Sequence, residues 1–279
     1  MDRIKLRRIR AWVLILILGL NSPLEALPVL EKKTIEEWNT YVELTEKRIN
    51  TELSATPVLL HSNLADLKTG KIQKEPLTTH GSRGKDITDG AIHHWFGAVY
   101  IPNTNLQKVL AVVQNYSAYA DYFKDVEKTK PPVKNGDEYD IYLRLTRTKL
   151  GVTAHFDTTH HVVYQNKSST FVSSVSRSKE IREIKNAGTS KESLYPVGDD
   201  SGYIWRLNSY WRFFERDGGV VVECETIGLS RSLGWGLGFL NILSLGTVKS
   251  IAQSIAREAL DSTLTDLRNG VTSGPIVKK

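Results

Sequence analysis

Residues 155–164 read HFDTTHHVVY and place three histidines and an aspartate within seven positions. Imidazole and carboxylate are common ligands of zinc and related metals, so a metal site is the first chemistry to weigh. The stretch has the pattern of a β-strand, in which successive side chains alternate between faces. Phe156, Thr158, His160, Val162 and Tyr164 then share one side, and His155, Asp157, Thr159, His161 and Val163 the other. His155 and His161 fall about 20 Å apart at roughly 3.3 Å per residue and cannot share an ion. His155 and Asp157 offer two ligands, but no Cys/His/Asp cluster elsewhere completes a set, because His93 and His94 themselves alternate. No metal is expected at His155, Asp157 or His161. His160 differs, as a polar group on the more apolar and therefore inward face. It is either a core histidine bonded to a neighbour or a group that orients a ligand in a cavity.

The same alternation in YIWRLNSYWRFFERD sets Trp205, Leu207, Ser209, Trp211 and Phe213 against Arg206, Asn208, Tyr210 and Arg212. In VVVECETIGLSR it sets Val220, Val222, Cys224 and Thr226 against Val221, Glu223 and Glu225. Each strand has one apolar side. The arginines and glutamates of the other sides suit solvent-exposed cross-strand ion pairs rather than an active-site carboxylate pair. Cys224, inward on an apolar strand, is expected to be inert packing rather than a nucleophile served by His160. Ser209 and Thr158 have no evident base in the sequence. SLGWGLGFLNILSLG spaces Gly234, Gly236 and Gly238 as G-x-G-x-G, which is not the dinucleotide-binding G-x-G-x-x-G. Its Trp235, Leu237, Phe239 and Leu240 can instead form a cavity lid, contact a membrane surface peripherally, or pack the start of the following helix.

These groups must be held by elements that the pattern also outlines. Residues 1–26 begin with MDRIKLRRIR, continue with the apolar AWVLILILGL and end in NSPLEA, the layout of a secretory signal peptide. The alternative is an uncleaved anchor, since Leu24 is large for its place before a cut at Ala26. The segment carries five Lys/Arg and two Asp/Glu, so its removal leaves about +3 of the formal +6, which argues against a nucleic-acid partner. One cysteine excludes an internal disulfide. Residues 27–85 hold an amphipathic helix, with Thr34 as N-cap and Ile35, Trp38, Val42, Ile49 and Leu53 on one face, then a loop-rich connector with little core of its own. From residue 86 a strand, two helices and six further strands precede an amphipathic helix from Leu245 to Asn269 that closes at Gly270. The chain ends in a tail, 271–279. The fold class is α+β, with an antiparallel sheet and helices on one face.

The opening GAIHHWFGAVYIP, the NYSAYADYF helix and the final TVKSIAQSIAREALDSTLTDLRNG resemble the START-like or SRPBCC superfamily over roughly residues 86–270. GYIWRLNSYWRFFERDGGVVVECETIGLSRSLGWGLGF is similar to a group of exported bacterial START-like proteins. The resemblance implies a helix-grip fold, a curved sheet wrapped around the C-terminal helix with an apolar cavity between them. It implies no particular reaction, because one fold hosts carriers and enzymes alike. The expected function is therefore non-catalytic binding of a lipid, isoprenoid or quinone-like compound by an exported protein, periplasmic or extracellular, with no cofactor. The expected lining is Leu143, Phe156, Thr158, His160, Tyr164, Trp205, Leu207, Ser209, Trp211 and Cys224. The alternatives are a cyclase or hydrolase with His160 as acid/base, and a filled-core protein that binds a partner through the helix at 34–53.

Overall fold

The computed structural model describes residues 30–55, 60–79, 86–149, 151–232 and 245–276. The expected signal segment and the lid residues Trp235, Leu237, Phe239 and Leu240 lie outside the described residues. Two helices come first, α1 (Lys32–Leu53) and α2 (Leu64–Lys68), then strands β1 (Gln73–Pro76), β2 (Asp86–Ile87) and β3 (Gly90–Pro102). Helix α3 (Leu106–Val113), a 3-10 turn (Tyr116–Ala118) and α4 (Tyr119–Tyr122) follow. Next are β4 (Val126–Thr129), β5 (Val133–Asn135), β6 (Glu138–Lys149), β7 (Val152–Ser168), β8 (Phe171–Lys185), β9 (Ser193–Leu194), β10 (Arg206–Arg216) and β11 (Gly219–Arg231). Helix α5 (Leu245–Ser273) ends the fold. The strands pair antiparallel in the order β1-β3-β11-β10-β8-β7-β6-β4, with β2 on β3, β5 on β6 and β9 on β8.

One face of this sheet, here the inner face, receives α5. Leu260, Leu264 and Leu267 join Trp95, Val99, Phe213, Val222 and Cys224 in a single apolar core, which α3 and the tyrosines after it extend. The helix can come this close because β3 has a glycine beneath it. A Cβ at Gly97 would lie 2.8 Å from side-chain atoms of both Leu260 and Leu264. A long antiparallel sheet holding a C-terminal helix is the helix-grip arrangement that the family resemblance implied.

The other face is closed by a helix, which the sequence did not suggest. Helix α1 lies on it, and Trp38, Tyr41, Ile49 and Leu53 form a second core with Ile92, Phe96, Tyr210, Phe214, Ile227 and Leu229. The segment expected as a loop-rich connector adds to this layer through Leu60, Leu64, Leu67 and Leu77, and β1 pairs with β3 as an edge strand. Thr34 is not the N-cap. Glu31 holds that position without a side-chain bond, while Thr34 is fully buried and its hydroxyl donates to Thr88 O at 2.8 Å.

The far end of α5 also departs from expectation. Gly270 lies inside the helix, where an added Cβ would be 2.8 Å from the Tyr122 ring, so it serves close packing rather than termination. The left-handed position after the helix belongs to Gly274, with φ of +83°.

Candidate functional site

Register carries the inward parity of β7 across the sheet. His160 stands opposite Ile141 on β6 and Ser178 on β8; Val162 opposite Tyr139 and Ser176; Thr158 opposite Leu143 and Ile181. On the neighbouring strands Ser176 faces Ser209, which faces Thr226, while Leu207 faces Gly228, which faces His93. Directly opposed residues of an antiparallel pair project to the same side, so all of these share the inner face.

Burial along these strands is the reverse of what a filled inner core gives. Ser176, Ser178, Leu207, Ser209, Trp211, Thr226, Gly228 and His93 are only partly buried. The residues alternating with them, His94, Asn208, Tyr210, Glu225, Ile227 and Leu229, are buried under α1. The outer face is thus sealed, whereas the described residues of the inner face beyond Leu260 and Leu264 are partly exposed. Gly228 lies on this part of the face, and a Cβ there would meet nothing nearer than 3.9 Å. On this part of the face Leu207 and Trp211 lie among the hydroxyls of Ser176, Ser178, Ser209 and Thr226, beside the packed Ile141 and Val162.

His160 is the most unusual group there. It is 5% exposed, and neither ring nitrogen has a hydrogen-bond partner. Burial depresses its pKa to about 4, so the ring is neutral near pH 7. No charge is among the causes of that shift. Neighbouring hydroxyls are partly committed: Thr158 donates to Leu143 O at 3.0 Å, and Ser178 Oγ accepts the Leu207 N–H at 2.9 Å. The Ser178 hydroxyl hydrogen stays available to donate.

The ten residues expected to line one pocket divide into groups. Leu207, Ser209 and Trp211 lie on the partly exposed part of the inner face, and His160 is buried beside it. Leu143, Thr158 and Phe156 continue inward toward the Leu145 and Glu183 end of the sheet. Tyr164 belongs to the packed core, its hydroxyl 2.8 Å from that of Tyr116, and Cys224 is fully buried among the core residues, with its thiol pKa raised by burial and then by Glu225. Trp205 is a correction. It precedes β10 rather than belonging to it and joins the outer core, where its Nε1–H donates to Asp200 at 2.9 Å. Strand parity does not extend through the turn before Arg206.

Ser176, Ser178, Thr226, Gly228 and His93 were missed. The alternating serines of SSVSRS were the available signal, since the parity argument used on β7 applies to β8 as far as the register shift opposite Thr159 and His160.

The outer face also overturns an expectation. Arg212 and Glu223 do pair across the strands, at 3.8 Å, but Arg212, Glu223 and Glu225 are 6%, 1% and 6% exposed rather than solvated. Glu225 bonds Arg48 and lies 2.7 Å from His94 Nε2; Arg212 bonds Glu52; the backbone N–H groups of His61 and Ser62 donate to Glu223 at 2.8 Å. Burial pushes the Glu225 pKa up, but His94, Arg48 and Arg212 bring it below its ordinary value. The histidines of the opening motif are separate. His155 pairs with Glu127, His161 with Asp140, and Asp157 with Arg144 and Tyr142. A groove of about 780 Å³ along the solvent side of α1, bordered by Asn39, Val42, Glu46 and Asn50, gathers no comparable chemistry.

No family model and no curated protein matches the chain. Solved structures align with it at low identity. A STAR-related lipid transfer protein from Xanthomonas axonopodis is 16% identical, with 67% of this chain and 96% of that one covered and a TM-score of 0.42. An aromatase/cyclase from Streptomyces is 14% identical over 64% of this chain and 93% of that one, at 0.42. A START superfamily protein from Mycobacterium smegmatis is 10% identical over 64% and 97%, at 0.40. The functions in those names belong to those proteins.

Proposed function

We propose that this chain binds an apolar small molecule, a lipid, isoprenoid or quinone-like compound, in a hollow over the partly exposed part of its inner face and releases it unchanged. One observation carries the reading: the same strands are sealed on their outer face and only partly buried on their inner face, where Leu207 and Trp211 present hydrocarbon. Removing a ligand's apolar surface from water there contributes roughly 25 cal/mol per Å². The basic and apolar pattern of residues 1–26 supports an exported carrier, and Trp235, Leu237 and Phe239 would give it peripheral membrane contact.

Catalysis by His160 is the weaker reading. An imidazole with a pKa near 4 and no charged neighbour among the causes of its shift is poorly matched to acid/base work near neutrality.

Native mass spectrometry of the exported protein, with analysis of its organic extract, tests the proposal. The expected result is a stoichiometric apolar compound, unmodified after incubation and lost on Leu207→Asp in a folded variant. Protein that carries nothing and takes up no added lipid would overturn the reading.

A further inference from the structure

Among the described residues five large apolar side chains are exposed, and three of them, Leu194, Val197 and Tyr203, fall within one ten-residue stretch. The other two, Val133 and Val152, stand singly on β5 and at the start of β7. Single exposed apolar residues are ordinary on a protein surface, whereas a group of them marks a contact. Pro196 is exposed in the same segment, SLYPVGDDSGYI (193–204), whose one exposed charge is Asp199. The loop is not slack. Tyr195 N–H donates to Glu183 O at 3.0 Å, and Tyr195 O accepts two bonds from Arg182. Ser201 donates twice to the Glu183 carboxylate, Gly202 N–H and the Trp205 indole donate to Asp200, and Arg231 N–H donates to Gly202 O at 2.7 Å. These polar bonds are made inward, and the apolar side chains are held outward on a fixed backbone.

The chain enters the described structure at the same place. Leu30 N–H donates to Gly198 O at 3.0 Å, beside Val197. The apolar run AWVLILILGL ends at Leu20, so at roughly 3.5 Å per residue its end lies no farther than about 35 Å from this loop. Lys32 and Lys33 are exposed directly after the entry point, and Lys185 and Lys191 are exposed on the path from β8 to the loop. We infer that the 193–204 loop is a membrane-docking tip, whose Leu194, Pro196, Val197 and Tyr203 enter the interfacial region of a phospholipid bilayer. This goes beyond the ligand reading and holds whether or not the inner face carries a molecule. Removing the apolar side chains from water supplies the attraction, and a tyrosine suits the boundary because its ring is apolar and its hydroxyl wet. The lysines add a pull toward anionic head groups that salt screens and that Glu31 and Asp199 oppose. A loop already pinned by its own bonds loses little further freedom on docking.

The test uses full-length protein carrying an environment-sensitive dye on one new cysteine, at Val197→Cys or Leu194→Cys on the loop and at Val133→Cys as an exposed control. The native Cys224 is fully buried and escapes labelling. Vesicles of phosphatidylcholine and phosphatidylglycerol are added, with and without a nitroxide-bearing lipid. Dye emission at 197 and 194 is expected to shift to the blue and to be quenched by the nitroxide, while emission at 133 stays unchanged. Unchanged emission at both loop positions, or an equal response at loop and control, would overturn the docking tip, even where the chain sediments with the vesicles through its apolar N-terminal run. A blue shift that grows with protein concentration in the absence of vesicles would overturn it too, by placing a second copy on the loop. Raised salt is expected to weaken the loop response without abolishing it, and complete loss would sink the apolar contact. None of these readings involves ligand uptake, so their failure leaves the carrier reading standing.

Discussion

His94 Nε2 lies 2.7 Å from a carboxylate oxygen of Glu225 beneath α1, while His93, the preceding residue, points to the opposite face and meets Ser230 at 2.8 Å. Adjacent histidines thus serve the two layers of the molecule. With Glu225 ionised, Nε2 of His94 donates to it, and the Tyr41 hydroxyl lies 2.8 Å from Nδ1 of the same ring.

Breaking that buried arrangement should loosen α1 rather than empty the hollow. Glu225→Ala leaves Arg48 and His94 facing an uncompensated site, and removing one partner of a buried pair costs about 3 kcal/mol or more. Denaturant unfolding should show a loss of that order, with ligand affinity of the remaining folded protein unchanged. A variant as stable as the parent would mean that the charges under α1 hold nothing.

Acid should weaken the fold through His160. Its folded pKa is lowered from 6.5 to about 4, so the unfolded chain takes up the proton first. The contribution is fully present above pH 6.5 and is lost as pH falls toward 4, amounting to roughly 3 kcal/mol. Glu225, also lowered, should add a further loss at more acid pH, as the medium falls through the carboxylate range. Comparing pH profiles of stability for the wild type and His160→Leu isolates the first component. Parallel profiles across that window would contradict it.

Two aromatic truncations on one strand should behave differently. Trp211 is partly buried on the inner face and stacks on Phe213, whose own side chain is 1% exposed in the core. Phe213→Ala should cost about 3 to 5 kcal/mol as an unsupported void. Trp211→Ala should lower the melting temperature less and change the profile of co-purified lipid more. Equal destabilisation with no ligand in either protein would favour a filled core.

Glycine substitutions should separate contact from space. Gly97→Val drives a side chain into Leu260 and Leu264 and should destabilise the grip on α5, since overpacking costs about 1 to 3 kcal/mol. Gly228→Leu enters the open side and should block ligand uptake with little change in melting temperature. Normal uptake by folded Gly228→Leu would place the ligand elsewhere.

Strand parity was legible because a pleated strand alternates side chains locally, whatever surrounds it. Phe156, Thr158, His160, Val162 and Tyr164 are all buried on one side of β7, and Leu207 through Phe213 keep their expected face. The long C-terminal helix was legible from its apolar stripe. Trp205 was not, because its side is set by the chain path between Asp200 and Arg206. The serines of β8 were legible in principle, up to the bulge that breaks their alternation.

By itself, then, the sequence determined which residues share a face and which segments are strands or helices, since those follow from backbone periodicity over a few residues. Only the tertiary structure decided which face is closed. Glu223, Glu225 and Arg212 have the composition of a solvated surface, and they are buried because residues more than a hundred positions earlier supply their partners, Arg48 and Glu52 of α1 for Glu225 and Arg212 and the backbone of His61 and Ser62 for Glu223. The inner face, whose apolar pattern reads as a core, stays partly open because the Leu260–Leu267 contacts of α5 cover one end of it. Periodicity reports the preference of a surface; the long-range packing of a second layer decides whether that surface meets water, another side chain or a ligand.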